Sequence, residues 1–416
     1  MCAFRIFDVI TMNALHSASL LAAVQMAPKD PILGVTETFN GDKNPHKVNL
    51  GVGIYYDDSG KVPLLECVRR AETQLAEKPA ARSYLPIDGL PAYDRAVREL
   101  VFGADSAALK ENRVITVQTL GGTGGLKIGA DFLRRLLPQS QVWISDPSWE
   151  NHRALFENAG FTLNTYPYYD AASHGINFGG MMQSLKALAA GSIVVLHACC
   201  HNPTGVDLSA AQWTEVIDVV VSRRLMPFVD IAYQGFGDGI DADGEVVRRF
   251  AQTGCPVFVS NSFSKSFSLY GERVGALSVV ASDSAEAARV LSQIKRTVRT
   301  NYSNPPTHGA QIVATVLDSP ELRALWEKEL AQMRSRIREM RRQLVEKLGM
   351  RLPKSDFGFV TRQRGMFSYS GLSKAAVERL RDEFSVYAID TGRICVAALN
   401  SRNIDHVAEA IAQVIG

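Results

Sequence analysis

The middle of the chain alternates short apolar runs with longer amphipathic segments. The run Ser192–Leu196 is almost wholly apolar, as expected for a strand that is buried on both faces of a parallel sheet. Runs rich in β-branched and aromatic residues predict further strands at 114–117, 142–145, 226–231, 257–260 and 274–280. Predicted helices lie between the strands, over 126–137, 151–158 and 210–223. This alternation predicts an α/β fold with a mostly parallel central sheet.

The C-terminal part of the chain has a different pattern. Helical periodicity covers 291–299 and 321–348, and the second segment is long enough to connect two domains. Two further strands are predicted at 365–369 and 394–397, within a region that mixes helix and strand. The sequence therefore predicts a second, smaller α+β region after the long helix.

Composition and charge narrow the possible partners. The 416 residues are 46% hydrophobic and 21% charged, which is ordinary for a globular protein. The 45 Lys and Arg residues against 43 Asp and Glu leave a formal net charge of +2, too little for a general attraction to nucleic acid or anionic lipid. The arginines within 334–342 follow helical spacing and are interpreted as one solvated helix face. Small molecules are the expected partners, and nucleic acid is not.

Cysteine and histidine spacing gives no sign of a metal site. The six cysteines lack the spacing of zinc-binding or redox motifs. Cys199 and Cys200 are adjacent within a hydrophobic run, where buried free thiols are common. The eight histidines include no HExxH sequence. No metal is therefore expected.

Membrane and export signals are also missing from the sequence. No segment approaches the roughly 20 uninterrupted apolar residues of a membrane span. The apolar stretch 14–27 contains four polar residues, and Asp8 precedes it, so it is a poor match to a signal peptide. We expect a cytoplasmic enzyme with no membrane partner, and Met12 is a candidate translation start.

A glycine-rich segment is the first sign of chemistry. Ligands of open α/β sheets bind beyond the carboxyl ends of the strands, and Thr119–Gly125 follows the first predicted strand. Glycines between a strand and a helix let backbone N–H groups approach a phosphate at the helix N-terminus. Lys127 stands where a GxGxxG dinucleotide site needs glycine, and Leu126 breaks the Walker sequence. On its own, the segment is equally compatible with a plain tight turn.

Two other strand ends carry charged residues. Asp230 follows an apolar run, with Tyr233 close behind, and a buried carboxylate there needs a cationic or hydrogen-bonding partner. Lys265 follows a serine-rich strand end, and Arg273 comes eight residues later. A lysine that is desolvated there becomes a nucleophile toward an aldehyde, although a surface lysine beside a serine-rich turn is the alternative. Together with the glycine segment, these residues supply the groups that pyridoxal 5′-phosphate (PLP) requires.

The order and spacing of these motifs resemble those of the class I aminotransferases, in their aspartate and aromatic subfamily. Matching segments cover nearly the whole chain, at Val48–Tyr55, Tyr84–Gly89, Asp146–His152, Cys199–Gly205, Arg299–Pro306 and Gly392–Ile394. The resemblance implies the PLP-dependent transferase fold, with a large PLP-binding domain over 65–330. It also implies a small α+β domain assembled from the N-terminal segment 1–64 and from 331–416.

The resemblance also implies which residues would bind the cofactor. Lys265 would hold PLP as an internal aldimine and then move the proton between the substrate Cα and the cofactor. Asp230 would pair with the pyridinium nitrogen, supported by His152 and His197. Tyr233 and Asn202 would bond the phenolic oxygen, and Trp149 would lie on the ring face. The phosphate would be surrounded by Gly122, Thr123, Ser262, Ser264, Arg273 and Tyr84 of a second subunit.

The substrate follows from the same resemblance. Arg393 would bind the α-carboxylate in a bidentate pair, flanked by Gly53 and Asn202. Arg299 would reach across a homodimer with shared active sites to the distal carboxylate of aspartate or glutamate. Segments 118–122 and 262–273 look closer to bacterial aromatic-amino-acid (tyrosine) aminotransferases than to strict aspartate enzymes.

The expected reaction is transamination between tyrosine or phenylalanine and 2-oxoglutarate in a PLP/PMP ping-pong cycle, with aspartate also accepted. An aspartate aminotransferase is the alternative. A PLP fold without catalysis, such as a regulator or carrier, would be expected to lack Lys265 or Arg393, and both are present.

Overall fold

The computed structural model describes residues 19, 21–27, 32–81 and 83–415. The candidate start at Met12 and most of the stretch 14–20 lie outside these ranges. Strands are numbered in chain order as β1 Val48–Asn49, β2 Val114–Leu120, β3 Val142–Asp146, β4 Leu163–Pro167, β5 Tyr169–Asp170, β6 Gly175–Ile176, β7 Ile193–His197, β8 Met226–Ile231, β9 Val257–Ser262, β10 Val274–Val280, β11 Phe367–Tyr369, β12 Val386–Tyr387 and β13 Arg393–Cys395.

Helices surround these strands along the whole described chain. They are α1 Leu33–Gly41, α2 Glu66–Glu77, α3 Pro91–Phe102, α4 Ala107–Lys110, α5 Gly121–Leu136, α6 Glu150–Asn158, α7 Phe178–Ala187, α8 Ala210–Ser222, α9 Ile240–Gln252, α10 Ser284–Asn301, α11 His308–Asp318, α12 Pro320–Arg351, α13 Phe359–Arg362, α14 Lys374–Phe384 and α15 Ile404–Ile415. Within the described ranges, none of them combines the length and apolarity that crossing a bilayer demands.

A seven-stranded sheet forms the centre of the fold, in the order β2-β10-β9-β8-β7-β3-β4. Every neighbouring pair from β9 to β4 is parallel. Strand β10 is antiparallel to both β9 and β2. The prediction of an α/β fold with a mostly parallel central sheet is confirmed, and the carboxyl ends of β7, β8 and β9 lie at one edge.

Alternate residues of the central strands enter two separate hydrophobic clusters. Val195 and Phe228 belong to one cluster, and Val194 and Val229 belong to the other. Because successive residues of a strand point to opposite faces, the clusters are the cores on the two sides of the sheet. Helices α5, α6 and α10 contribute to the first core, whereas α8, α9 and α12 contribute to the second. Strand β7 is thus buried on both faces, which explains its continuous apolar run.

Several element boundaries differ from the sequence prediction. Helix α5 begins at Gly121, so the glycine-rich segment forms its first turn and is not a separate loop. Helix α10 begins at Ser284, well before the predicted start at 291, because the Asp283 carboxylate accepts the N–H of Glu286 and caps the first turn. The predicted strand 394–397 ends at Cys395 and continues as a 3₁₀ turn over Val396–Ala398.

The two ends of the chain meet in a small parallel sheet. Strand β1 pairs with β12, with Val48 opposite Val386. The N–H of Val48 also donates to the Ser385 carbonyl at 2.9 Å. Helix α12 runs without a break across the predicted domain boundary between 330 and 331. The division into 1–64, 65–330 and 331–416 stays a prediction.

Candidate active site

A cavity of about 750 Å³ opens at the carboxyl ends of β7, β8 and β9. His197 ends β7, Asp230 lies next to the end of β8, and Ser262 ends β9. The parallel arrangement therefore brings together side chains that are far apart in the sequence. The predicted site residues on the cavity wall are Gly53, Gly122, Thr123, Trp149, His197, Asn202, Asp230, Tyr233, Ser262, Ser264, Lys265, Arg273 and Arg393.

Three predicted site residues lie away from this wall, and one of them, His152, is buried beside Asp230. The side chain of Tyr84 is 92% exposed. Arg299 is also exposed, near the end of α10, where its guanidinium donates a hydrogen bond to the Ser303 hydroxyl. Neither Tyr84 nor Arg299 contributes to the cavity of its own chain.

Lys265 follows β9 and carries an amine suited to attack a carbonyl. Its Nζ lies 4.8 Å from the centroid of the Tyr233 ring. Burial lowers the pKa of Lys265 from 10.5 to about 8, because desolvation disfavours the charged amine; the Asp230 carboxylate opposes this effect and Arg273 adds to it. A much larger share of this amine is therefore uncharged near neutral pH than for a lysine in water.

Asp230 is held in place by His152. The carboxylate is only 5% exposed, and its Oδ2 lies 3.0 Å from His152 Nε2, while His152 Nδ1 lies 3.0 Å from the Ser148 hydroxyl. Burial raises the pKa of Asp230, but the hydrogen bond and charge of His152, followed by His197 and Lys265, outweigh it and hold the pKa below its usual range. Asp230 is therefore ionised, and it can pair with a positively charged ring nitrogen.

His197 lies beside His152 and makes no hydrogen bond to Asp230. Neither of its ring nitrogens has a hydrogen-bond partner among the described residues. Its ring packs between His152 and His201, with centroid distances of 4.9 and 4.4 Å. Burial lowers the pKa of His197 to about 3, with the charge of His152 as a further cause. His197 is thus a neutral ring with free polar atoms on the cavity wall, available to a ligand.

The residues beside the start of α5 form an anion site. Arg273 Nη1 donates to the Ser264 hydroxyl at 3.2 Å, and the hydroxyls of Ser262 and Ser264 also lie 3.2 Å apart. Gly122, in the first turn of α5, packs tightly, because an added Cβ would lie 3.1 Å from the Ser262 Cβ. The N-terminal turn of α5, a guanidinium and two hydroxyls therefore converge in a way that suits a phosphate.

Arg393 provides a fixed positive charge on the same cavity. The side chain is 1% exposed, and it donates to Asn202 Oδ1 at 3.0 Å and to the Gly51 carbonyl at 2.7 Å. Its guanidinium carbon lies 4.4 Å from the Phe367 ring centroid. Arg393 Nε is buried without a partner among the described residues, so it can still bind a carboxylate. Gly53 packs against Phe367, where an added Cβ would lie 2.6 Å from Cζ.

Two aromatic residues are among those of the cavity wall that the sequence analysis missed. Tyr270 accepts the N–H of Tyr55 at its hydroxyl, at 2.9 Å, and so anchors the segment that carries Gly53. Phe367 packs edge-on against Tyr233, with 5.9 Å between ring centroids, and also covers Arg393. Tyr270 lies in the segment 262–273 that the motif comparison included, and Phe367 lies in a predicted strand, but an aromatic residue at such a position is as often a core residue.

The donor set as a whole fits PLP. An amine of lowered pKa, an ionised carboxylate and an anion site share one cavity with the unpartnered nitrogens of His197. The amine suits the aldehyde of the cofactor, the carboxylate suits its ring nitrogen, and the anion site suits its phosphate. Both nitrogens of His152 are already engaged, so the nearby group of His152, His197 and Asp230 is poorly suited to a metal ion.

Comparison with known proteins gives a consistent result. A family model described as aminotransferase class I and II matches residues 45–411. The chain is 62% identical over 397 residues to an aspartate aminotransferase of Pseudomonas aeruginosa, covering 95% of this chain and 100% of that protein. It is 54% identical over 387 residues to an aromatic-amino-acid aminotransferase of Escherichia coli, covering 93% and 98%.

A solved structure agrees closely with the fold. The crystal structure of an aromatic-amino-acid aminotransferase from Burkholderia pseudomallei, covalently bound to pyridoxal phosphate, matches with a TM-score of 0.94 and 62% sequence identity. The match covers 96% of this chain and 100% of that one. The chain belongs to the class I and II aminotransferases and is a PLP-dependent transaminase.

Proposed function

We propose that this transaminase transfers the amino group of phenylalanine or tyrosine to 2-oxoglutarate, and that it also accepts aspartate. The observation that carries the proposal is the composition of the cavity wall. Arg393 offers a fixed cation for a carboxylate, and apolar side chains of Val52, Ile54 and Phe367 share the same wall. Arg299 lies outside the cavity of its own chain. An aromatic side chain would thus meet the apolar part of this wall without facing Arg299 of the same subunit.

Arg299 supports acceptance of both substrate classes. Its side chain is exposed, and its guanidinium donates a hydrogen bond to the neutral hydroxyl of Ser303. Because the guanidinium is exposed, water can replace this hydrogen bond when the side chain moves away. A distal carboxylate of aspartate would attract it, whereas an aromatic ring would displace it.

The residues on the wall divide the work of the reaction. PLP, when bound, supplies an electron sink that stabilises the negative charge left on the substrate Cα after its proton is removed. Lys265 is proposed to bond the cofactor covalently and, once its amine is free again, to hold and move the proton at the substrate Cα. Ionised Asp230, oriented by His152, would keep the cofactor ring nitrogen protonated.

The remaining residues are proposed to orient the cofactor and the substrate. Thr123, Ser262, Ser264, Arg273 and the first turn of α5, which includes Gly122, would bind the phosphate. Tyr233 and Asn202 would donate to the phenolic oxygen, and Trp149 would pack on the ring face. Arg393, with Asn202 and Gly53 beside it, would bind the α-carboxylate that all amino acids share, which fixes the Cα–H bond toward Lys265.

A homodimer with shared active sites is part of the proposal. Val62, Leu64 and Tyr84 are exposed by 42, 64 and 92% of their surfaces, which is unusual for large apolar and aromatic side chains that lie close together in sequence. A partner subunit would cover them, and Tyr84 and Arg299 would complete the partner's site at the phosphate and at the distal carboxylate. We propose the cytoplasm as the compartment, which fits the buried free thiols of Cys199 and Cys200.

An aspartate aminotransferase is the second candidate, because the Pseudomonas aeruginosa relative carries that name at 62% identity. The half-reaction of the holoenzyme with phenylalanine, tyrosine or aspartate alone separates the two. Each amino acid should bleach the absorbance of the lysine-bound cofactor, and its rate constant divided by its dissociation constant can be compared directly. Aromatic values equal to or above that of aspartate support the proposal. Aspartate ahead by orders of magnitude would overturn the aromatic assignment.

A further inference from the structure

Gln118, near the end of β2, joins two segments that carry Tyr84 and Arg299. The side chain is 2% exposed. Its Oε1 accepts the N–H of Leu90 at 3.2 Å, and its Nε2 donates to the Pro306 carbonyl at 2.5 Å. Leu90 ends the segment that begins at Tyr84, and Pro306 ends the turn that follows the helix of Arg299. One amide group therefore uses both its donor and its acceptor to connect the two segments.

The backbone of Gln118 contacts the same two segments. Its N–H donates to the Asp88 carbonyl at 2.8 Å, and its carbonyl accepts from the Tyr302 hydroxyl at 3.3 Å. Strand β2 is at the edge of the central sheet, so these outward groups have no neighbouring strand. Gly89, with φ of +114°, packs so closely on the side chain of Gln118 that an added Cβ would overlap it.

The two segments are also bonded to each other. Asn304 Nδ2 donates to the Leu85 carbonyl at 3.1 Å. Lys295 Nζ lies 3.0 Å from the Asp88 carboxylate. Lys295 precedes Arg299 by one turn of α10, so the ion pair holds the face of the helix that carries Arg299. Tyr84 and Arg299 thus extend from one connected unit with Gln118 at its base.

We propose that Gln118 is a positioning residue whose amide sets the placement of Tyr84 and Arg299, and so acts on the active site of the partner subunit. This inference rests on the proposed homodimer with shared sites. Gln118 also lies three residues before Gly121, where α5 begins at the anion site of its own subunit. If Gln118 acted only locally, a substitution there would disturb the active site of its own subunit. If Gln118 acts as proposed, the same substitution would disturb the active site of the partner subunit.

Mixed dimers separate these two roles. Gln118→Met keeps the length of the side chain and removes both hydrogen bonds of the amide, and Lys265→Ala silences one site. In the trans dimer both substitutions are in one subunit, so the working site borrows Tyr84 and Arg299 from the altered subunit. In the cis dimer they are in different subunits, so the working site contains Gln118→Met and borrows unaltered segments. The reference dimer carries Lys265→Ala in one subunit alone.

Dimers whose subunits carry two different affinity tags can be purified on two columns in succession. They are compared by kcat/KM for aspartate, by kcat/KM for phenylalanine and by the rate of PLP release. For the trans dimer we expect kcat/KM for aspartate to fall about tenfold relative to the reference dimer, chiefly because KM rises. The kcat/KM for phenylalanine should fall by less than about threefold. Both losses are moderate because the two hydrogen bonds that are lost are neutral. Release of lysine-bound PLP, followed by absorbance, should quicken about fivefold because Tyr84 is displaced. The cis dimer should stay within about twofold of the reference in all three.

Equal or greater loss in the cis dimer, or no loss in the trans dimer, would overturn the inference. Gln118→Glu is the second variant, because it keeps the acceptor for Leu90 and loses the donor to Pro306; it should give the same trans pattern if Gln118→Met folds poorly. An inactive or dissociated reference dimer would instead contradict the shared-site homodimer itself, and this inference would fall with it.

Discussion

The amine of Lys265 in the cofactor-free protein should titrate near pH 8, far below the 10.5 of an ordinary lysine. Desolvation is the largest cause, because it penalises the ammonium form, and the carboxylate of Asp230 only partly offsets it. At about pH 7.5 the uncharged fraction is then roughly one quarter, against about one thousandth for an unshifted lysine. The site therefore offers on the order of 200 times more reactive amine than a lysine in water.

Competitive acetylation measures this directly. The cofactor-free protein is labelled with a trace of acetic anhydride over a range of pH, with N-acetyl-lysine present as a reference, and the peptide that contains Lys265 is quantified by mass spectrometry. The labelling should rise to an inflection near pH 8. Asp230→Asn removes a charge that raises the pKa of Lys265, so it should move the inflection lower still. An inflection near 10.5, or an upward movement in the variant, would refute the reasoning.

Further predictions concern binding and stability. Arg393→Lys loses the fork of donors, so kcat/KM should fall about 100-fold or more for aspartate and phenylalanine alike; a loss confined to one substrate would contradict a role at the α-carboxylate. Burial, followed by the charge of Asp88, raises the pKa of Asp94 from 3.8 to about 8, so the folded state binds the extra proton and stability falls as pH rises between these values. Asp94→Asn should therefore raise the free energy of unfolding, measured in denaturant titrations, by up to about 3 kcal/mol more at about pH 7 than at about pH 5. The same effect at both pH values would contradict this reasoning. Gly349 is exposed in α12 with open space around it, so Gly349→Ala should raise the free energy of unfolding by about 0.5–1 kcal/mol. Gly129→Ala should lower the free energy of unfolding, because the new Cβ would lie 2.5 Å from the Phe228 ring.

The central sheet could be predicted from the sequence because its signal is local. The apolar run of β7 indicates burial on both faces, and the structure shows alternate residues of β7 and β8 in two separate cores. The start of α5 could not be predicted, since glycine is a poor helix former and nothing local shows that Gly121–Gly125 is held against β9 and β10. The cap at Asp283 was a local signal that the prediction of α10 overlooked.

The candidate site was predictable in part, for a different reason. Asp230 and Lys265 follow strands whose ends lie side by side, so motif and topology agree on one cavity. The aromatic wall residues Tyr270 and Phe367 gave no such signal, because sequence alone does not tell a cavity-facing ring from a core ring. The contacts of Gln118 join residues 28 and 188 positions apart, and only the folded chain brings them together.

We propose that this cavity, with Lys265 as the residue that moves the proton, supports transfer of the amino group of an aromatic amino acid to 2-oxoglutarate. Nitrogen-15-labelled phenylalanine and unlabelled 2-oxoglutarate can be incubated with the holoenzyme, and the glutamate formed can be analysed by mass spectrometry. The account predicts labelled glutamate and phenylpyruvate in equal amounts from the unaltered protein, and a loss of at least about 1,000-fold in the rate for Lys265→Ala. Unlabelled glutamate, no glutamate at all, or an undiminished rate in Lys265→Ala would contradict it.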